Sequence, residues 1–217
     1  MIVVHSPVKR VEDGAQAPRG VVVGVVIAGG RSRRFGAEKA VAELLGKPLL
    51  VWAAERLQRS CALVAINARL GSDTERLARA RDLPVLHDAP GDAEGALAGV
   101  RAGLAWAVEL GARALAVSPC DAPLLPDDLF EPLILAAGEG AAVAETADGR
   151  QPLCSVWPVT ALPAVAAALA AGAHPPTWRV LDDLGAARVV FEDAAAFANV
   201  NTRTDLAEAA ATLGYQR

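Results

Sequence analysis

Aromatic side chains are scarce in this 217-residue sequence, at 4% with a single tyrosine, and alanine fills their place with 48 residues. A core built from it must be aliphatic. Cysteine is sparse too: Cys61, Cys120 and Cys154 are odd in number, far apart and never in a Cys-x-x-Cys pair. That argues against a disulfide framework and a zinc site, and fits a reducing cytoplasm. There is no basic excess, since 21 Lys and Arg face 25 Asp and Glu for a net charge of -4. The sign is wrong for general nucleic-acid affinity, so any basic site is local. Long hydrophobic runs are also missing. Despite a mean hydropathy of +0.30, the longest apolar or small stretch, Ala161 to Ala173, has thirteen residues and contains a proline. A membrane-spanning helix needs ~20, so the expectation is a soluble protein without membrane partners. Met1 to Gly20 holds Lys9, Arg10, Glu12 and Asp13 and no seven-residue apolar stretch. It reads as a flexible tail rather than a secretory signal, ahead of one domain over 21–217.

What is present is alternation. Val21 to Ala28 is a β-branched run ending in Gly29-Gly30, the pattern of a central strand buried on both faces of a parallel sheet. About twenty residues then precede a helical pattern starting at Pro48, an unusually long loop. Further on, the patterns predict strands at Ala62 to Asn67, Pro84 to His87 and Ala114 to Ser118, with helices at Asp73 to Ala80 and Leu97 to Glu109 between them. The second half reads as strands at Ala141 to Ala144, Leu153 to Trp157 and Arg188 to Phe191, and helices at Leu129 to Ala137, Ala161 to Ala171 and Thr204 to Leu213. Serial βαβ units with right-handed crossovers imply a doubly wound α/β domain with a mostly parallel, Rossmann-like sheet. In such sheets ligands sit beyond the carboxyl ends of the strands, where every chemically suggestive cluster here falls.

The strongest cluster is AGGRSRRFGAEK, Ala28 to Lys39, with Arg31, Arg33, Arg34 and Lys39 against Glu38. Its glycines let backbone N–H groups approach an anion, so it is expected to bind a polyphosphate, although it is neither G-x-G-x-x-G nor a Walker loop. In SPCDAPLLP, Ser118 to Pro126, Asp121 stands between Pro119 and Pro123 at a strand end. It is suited to Mg²⁺ carried by phosphates or, on its own, to closing a turn. GALAGV, Gly95 to Val100, offers small residues on which a flat base could lie, or which let a helix start pack closely on the sheet. Asn67 can pair with a base edge and Asp88 can accept from two donors, and both residue types also serve turns. In FANVNTRTD, Asn199 and Asn201 face one side of an extended segment, and Thr202 or Thr204 caps the helix that follows. No Ser or Cys is paired with a His, so covalent catalysis has no supporting pattern.

Taken in order and spacing, AGGRSRRFGAEK, GALAG, CDAPLLP and NVNT resemble the molybdenum cofactor guanylyltransferases, the MobA-type members of the nucleotidyltransferase superfamily, over roughly Val21 to Leu213. The family's Leu-Ala-Gly-Gly, Arg-Met-Gly and Asp-Lys stand here as Ile27-Ala28-Gly29-Gly30, Arg34-Phe35-Gly36 and Glu38-Lys39. The resemblance implies a nucleotidyltransferase fold that uses Mg²⁺ and GTP, moves GMP onto the terminal phosphate of molybdopterin and releases pyrophosphate. It also implies passing contact with cofactor-synthesis or molybdoenzyme partners. By position, Lys39 and the Gly29 to Arg34 backbone, Arg31 included, would hold the phosphates, and Lys39, Arg34 and Asp121 would carry catalysis. Asn67 and Asp88 would read guanine and ribose, Ile27, Ala28 and Gly95 would line the nucleotide, and Asp121 with Asn201 would hold the metal. The chain departs from the pattern at Ala96, where the family has Pro, and at Gln151, where it has His; Arg179 stands alone where an Arg-rich stretch is usual. Two other readings share these residues: a relative using CTP or a sugar-phosphate acceptor, and a nucleotide-binding delivery protein without catalysis.

Overall fold

The computed structural model describes residues 20–30, 35, 38–92, 95–171 and 176–215. The expected tail, apart from Gly20, therefore lies outside the described residues. The elements, in chain order, are β1 (Val22–Ile27), β2 (Glu43–Leu44), β3 (Lys47–Pro48), α1 (Leu49–Gln58), β4 (Val64–Asn67), α2 (Asp73–Ala80), β5 (Val85–Leu86) and α3 (Ala96–Glu109). They continue as β6 (Ala114–Pro119), α4 (Phe130–Ala137), β7 (Ala142–Thr146), β8 (Gly149–Pro158), α5 (Leu162–Ala170), α6 (Thr177–Asp183), β9 (Ala187–Val190) and α7 (Arg203–Tyr215).

Seven of these strands form one sheet in the order β5-β4-β1-β6-β8-β7-β9. The pairs β5–β4, β4–β1, β1–β6 and β7–β9 are parallel, while β8 runs antiparallel to both β6 and β7. The sheet is thus mostly parallel, as the alternation of patterns implies. Val25 and Val26 of β1 are fully buried on opposite faces, which is why that stretch carries no polar residue. One face is covered by α1, α2 and α4, the other by α3, α5 and α6.

Alanine and glycine set how closely these layers approach. At Gly103 in α3 a Cβ would come within 2.8 Å of Leu115 and 3.0 Å of Val25, both in the sheet. The helix therefore rests on the strands with no side chain between them at that point, the counterpart of a core with few rings. Two helices start and stop where their patterns do. Pro48 precedes α1, and at α2 the Ser72 Oγ accepts from the Glu75 N–H at 3.1 Å, a standard N-cap.

The unusually long loop after β1 carries short elements of its own. Lys39–Val41 forms a 3-10 turn, and β2 and β3 pair across a two-residue turn, Leu45 at φ 52° and Gly46 at φ 75°. Both lie in the left-handed region a tight hairpin needs. Phe35, Leu44 and Leu49 pack there against Val200 and Ala209, tying the chain's last helix to the loop after its first strand. The helix α6 has no counterpart among the predicted elements.

Candidate functional site

Along the carboxyl edge of the parallel strands lies a cleft of ≈ 720 Å³. Ile27, Ala28, Gly29 and Gly30 leave β1 into it, Asn67 ends β4, Asp88 follows β5, and Gly95 opens α3. Asp121 enters just past β6, while Lys39 and Asn201 arrive from the 3-10 turn and the segment before α7. Ten of the twelve residues given nucleotide, catalytic or metal roles from the sequence thus line one cavity. The other two, Arg31 and Arg34, lie outside the described residues, as does Arg33.

Electrostatics concentrate at one end of the cleft. The Lys39 Nζ donates to Asp121 Oδ2 at 2.6 Å and to Asn201 Oδ1 at 3.1 Å. Each of the three comes from a different part of the chain and is fixed by its own backbone. The Asp121 carbonyl accepts from the Val200 N–H at 2.7 Å, so the acid loop and the segment carrying Asn201 are stitched together. Asp205 Oδ2 accepts from the backbone N–H groups of Asn201 at 2.7 Å and Thr202 at 2.9 Å, and the Asp205 N–H donates to Thr202 Oγ1 at 3.1 Å. This reciprocal cap starts α7 and settles the choice of cap on Thr202. The Thr202 hydroxyl also donates to Asp205 Oδ1 at 2.7 Å, and this bond first, with the Asn201 and Thr202 N–H groups, holds the Asp205 carboxyl below its usual range.

Two hard oxygens, a carboxylate and an amide carbonyl, therefore converge on one cation, here the Lys39 ammonium. That donor set also suits Mg²⁺, which favours oxygen and takes one or two carboxylates together with substrate phosphates. Among the described residues no group of three or more His, Cys, Asp or Glu could hold a metal alone, so the remaining ligands would come from phosphate and water.

At the other end, Asn67 Nδ2 donates to Asp88 Oδ1 at 2.8 Å. The two residues assigned separately to base and ribose are therefore one coupled unit. Gly99 sits directly against it: a Cβ there would lie 2.5 Å from Asn67 Oδ1 and 2.9 Å from Ile27 Cδ1. The packing alternative for GALAG holds at Gly99, while Gly95 lines the cleft. Gly99→Ala is expected to push Asn67 off Asp88. Overpacking costs about 1–3 kcal/mol while alanine returns about 1 kcal/mol of helix propensity. A nucleotide titration should therefore show weakened binding with only a small change in denaturation midpoint.

The sequence patterns did not single out Arg69 and Thr74, which also line the cleft. Glu38 Oε2 accepts from the Thr74 N–H at 2.8 Å and the Thr74 hydroxyl at 2.7 Å, and Glu38 Oε1 accepts from Arg69 at 3.0 Å. Glu38 counted in the sequence only as a charge against the arginines, yet it clasps the Lys39 turn to the start of α2. Its place next to Lys39 was the one available signal. Cys120, Cys61 and Cys154 are buried, which pushes each thiol up to about 12 and leaves none as a nucleophile. His87 is bound through Nδ1 to the Ala68 carbonyl at 2.8 Å.

Residues 24–188 match the family described as the MobA-like NTP transferase domain. A molybdenum cofactor guanylyltransferase from Cereibacter sphaeroides is 44% identical over 195 residues, spanning 88% of this chain and 96% of that protein. A Rhodobacter capsulatus protein of the same name is 37% identical over 191 residues, covering 87% and 94%. Among solved structures, molybdopterin-guanine dinucleotide biosynthesis protein A from Archaeoglobus fulgidus superposes with a TM-score of 0.70 at 22% identity, over 89% of this chain and 99% of that one. A 4-diphosphocytidyl-2C-methyl-D-erythritol synthase from Anaerococcus prevotii gives 0.68 at 14% identity, over 91% and 97%.

Proposed function

The chain belongs to the MobA-like NTP transferase family, and from that premise we propose that it is a molybdenum cofactor guanylyltransferase, transferring GMP from GTP to the terminal phosphate of molybdopterin. The observation that carries this reading is the convergence of Lys39, Asp121 and Asn201 at one end of a cleft that Gly29 and Gly30 also line. An oxygen of the acceptor's terminal phosphate forms a bond to the α-phosphorus of GTP. The bond from that phosphorus to the bridging oxygen breaks, and pyrophosphate leaves with the electron pair. A phosphate oxygen is already a nucleophile, so the protein needs no general base. Its work is in-line positioning and neutralising charge.

In this reading the Gly29 and Gly30 N–H groups and Lys39 hold the phosphates of GTP, Arg31 and Arg34 add positive charge, and the Asn67–Asp88 pair meets guanine and ribose between Ile27, Ala28 and Gly95. Asp121 and Asn201 would hold Mg²⁺, which when bound screens the phosphates and eases departure of pyrophosphate. The working unit is the domain over 21–217. Three buried free thiols agree with a cytoplasmic setting, and among the described residues no helix is long and apolar enough to cross a membrane.

The structural neighbours include enzymes named for cytidylyl products, so the fold does not choose the base. Pyrophosphate release with molybdopterin as acceptor, measured with GTP, CTP and ATP in turn, tests the choice. GTP is expected to lead by about a hundredfold or more in kcat/KM, because a site built to hydrogen-bond one base leaves its polar groups unpaired with another. Faster turnover of CTP would move the chain to a cytidylyl branch, and no release with any nucleotide would make it a binding protein.

A further inference from the structure

Arg56 lies in the last turn of α1, is 4% exposed and has no part in the chemistry above. Its Nη2 donates to the Pro123 carbonyl at 2.9 Å. The Nε and Nη1 atoms are buried and have no hydrogen-bond partner among the described residues. Burial lowers the guanidinium's pKa from its ordinary value, with nearby Asp127 opposing that shift. Such a group is expensive to keep, since a buried charge with unmet donors destabilises where an apolar chain of the same length would pack freely. A helix-dipole gain does not explain it, because an exposed arginine in the same turn would collect that gain too.

What the arginine does hold is the segment bearing the acid. Pro123 is two residues beyond Asp121, and just past the end of α1 Arg59 meets Asp127 at 2.8 Å in an exposed ion pair. The helix thus holds the segment at 123 through Arg56, while the Val200 N–H holds the Asp121 carbonyl at 2.7 Å. Held by its carbonyls at 121 and 123, the backbone has little freedom to turn the carboxylate away from Lys39 and Asn201.

We propose that Arg56 is a positioning residue for the phosphate–metal end of the cleft, acting through the Pro123 carbonyl to keep Asp121 aimed at that site. The proposal rests on the reading of Asp121 as a partner of a magnesium–triphosphate. Two measurements separate it from a plain stabilising role: the free protein's Tm, and the further rise in Tm when Mg²⁺ is added to protein already saturated with GTP in a chelator. Arg56→Met keeps the length and removes the donors.

In that variant the free Tm is expected to stay within about 3 °C of the parent, as relief of the unmet donors offsets the lost bond. GTP binding without metal should be unchanged. The magnesium-dependent increment should largely vanish, and the Mg²⁺ concentration for half-maximal turnover should rise about tenfold, the scale typical of groups that orient a metal's ligands. Arg56→Lys should restore part of both. If the methionine variant does not fold, Arg56→Gln carries the same readouts. A folded variant with the parent's magnesium response overturns the proposal, as does one that loses Tm and metal-free GTP binding together. A parent protein with no magnesium increment at all would instead overturn the reading of the site.

Discussion

Asp121→Ala is expected to abolish guanylyl transfer while leaving the fold in place. The carboxylate faces the cleft, where its bond is to the Lys39 ammonium at 2.6 Å, and the side chains of the pair are 12% and 24% exposed. The backbone at 121 is held independently through the Val200 N–H, so truncation removes the charge without releasing the segment. Of the two side-chain oxygens that converge here, the Asn201 amide alone would then remain to meet a divalent ion. Loss of a ligand that acts on the developing charge of the leaving group lowers the rate by about a thousandfold or more, equivalent to ~4 kcal/mol. Asp121→Asn retains the shape and an oxygen for Lys39, and should recover only a small part. Pyrophosphate release, with circular dichroism and Tm to check the fold, measures this. Turnover near the parent's in a folded Asp121→Ala protein would remove this acid from the chemistry.

Lys39→Ala is expected to cost kcat about 10²–10⁴, or roughly 3–5 kcal/mol, by removing a fixed positive donor from the site where charge develops. Its signature differs from that of Asp121. The ammonium is shared between a carboxylate and an amide, so its removal leaves two partly buried oxygens facing each other without the cation between them. Titration of the free protein with Mg²⁺ should therefore show tighter metal binding in the variant even as turnover falls. Lys39→Arg should not rescue the rate, because a planar fork does not reproduce a compact point charge seated between two oxygens. Unchanged kcat in Lys39→Ala would place phosphate neutralisation elsewhere in the loop.

The parallel half of the fold was legible because its signals are local and strong. A β-branched run buried on both sides and Pro48 before α1 each mark an element by its own residues. The two-residue strands β2 and β3 have no period to read, and α6 is seven residues long behind two prolines. Strand direction is not encoded locally either: β8 lies between β6 and β7 and opposes both. At the site, the residue types were readable but their pairings were not. Asn67 and Asp88 are 21 residues apart, and Glu38 reaches Thr74 across 36. Arg56 was hidden for another reason. In an amphipathic helix an arginine reads as solvent-facing, and only the packed segment beyond β6 reveals that it points inward.

Lys39 and Asn201 meet across 162 residues of chain, and that distance orders events during synthesis. A growing chain can close β1, β4 and β6 long before the residues around Val200 and α7 have left the ribosome. Until then the acid loop lacks the donor that secures its carbonyl, and the cleft lacks one wall. The pocket is therefore finished only after the residues around Val200 have been made, and a ligand of that pocket would act on folding late, not early.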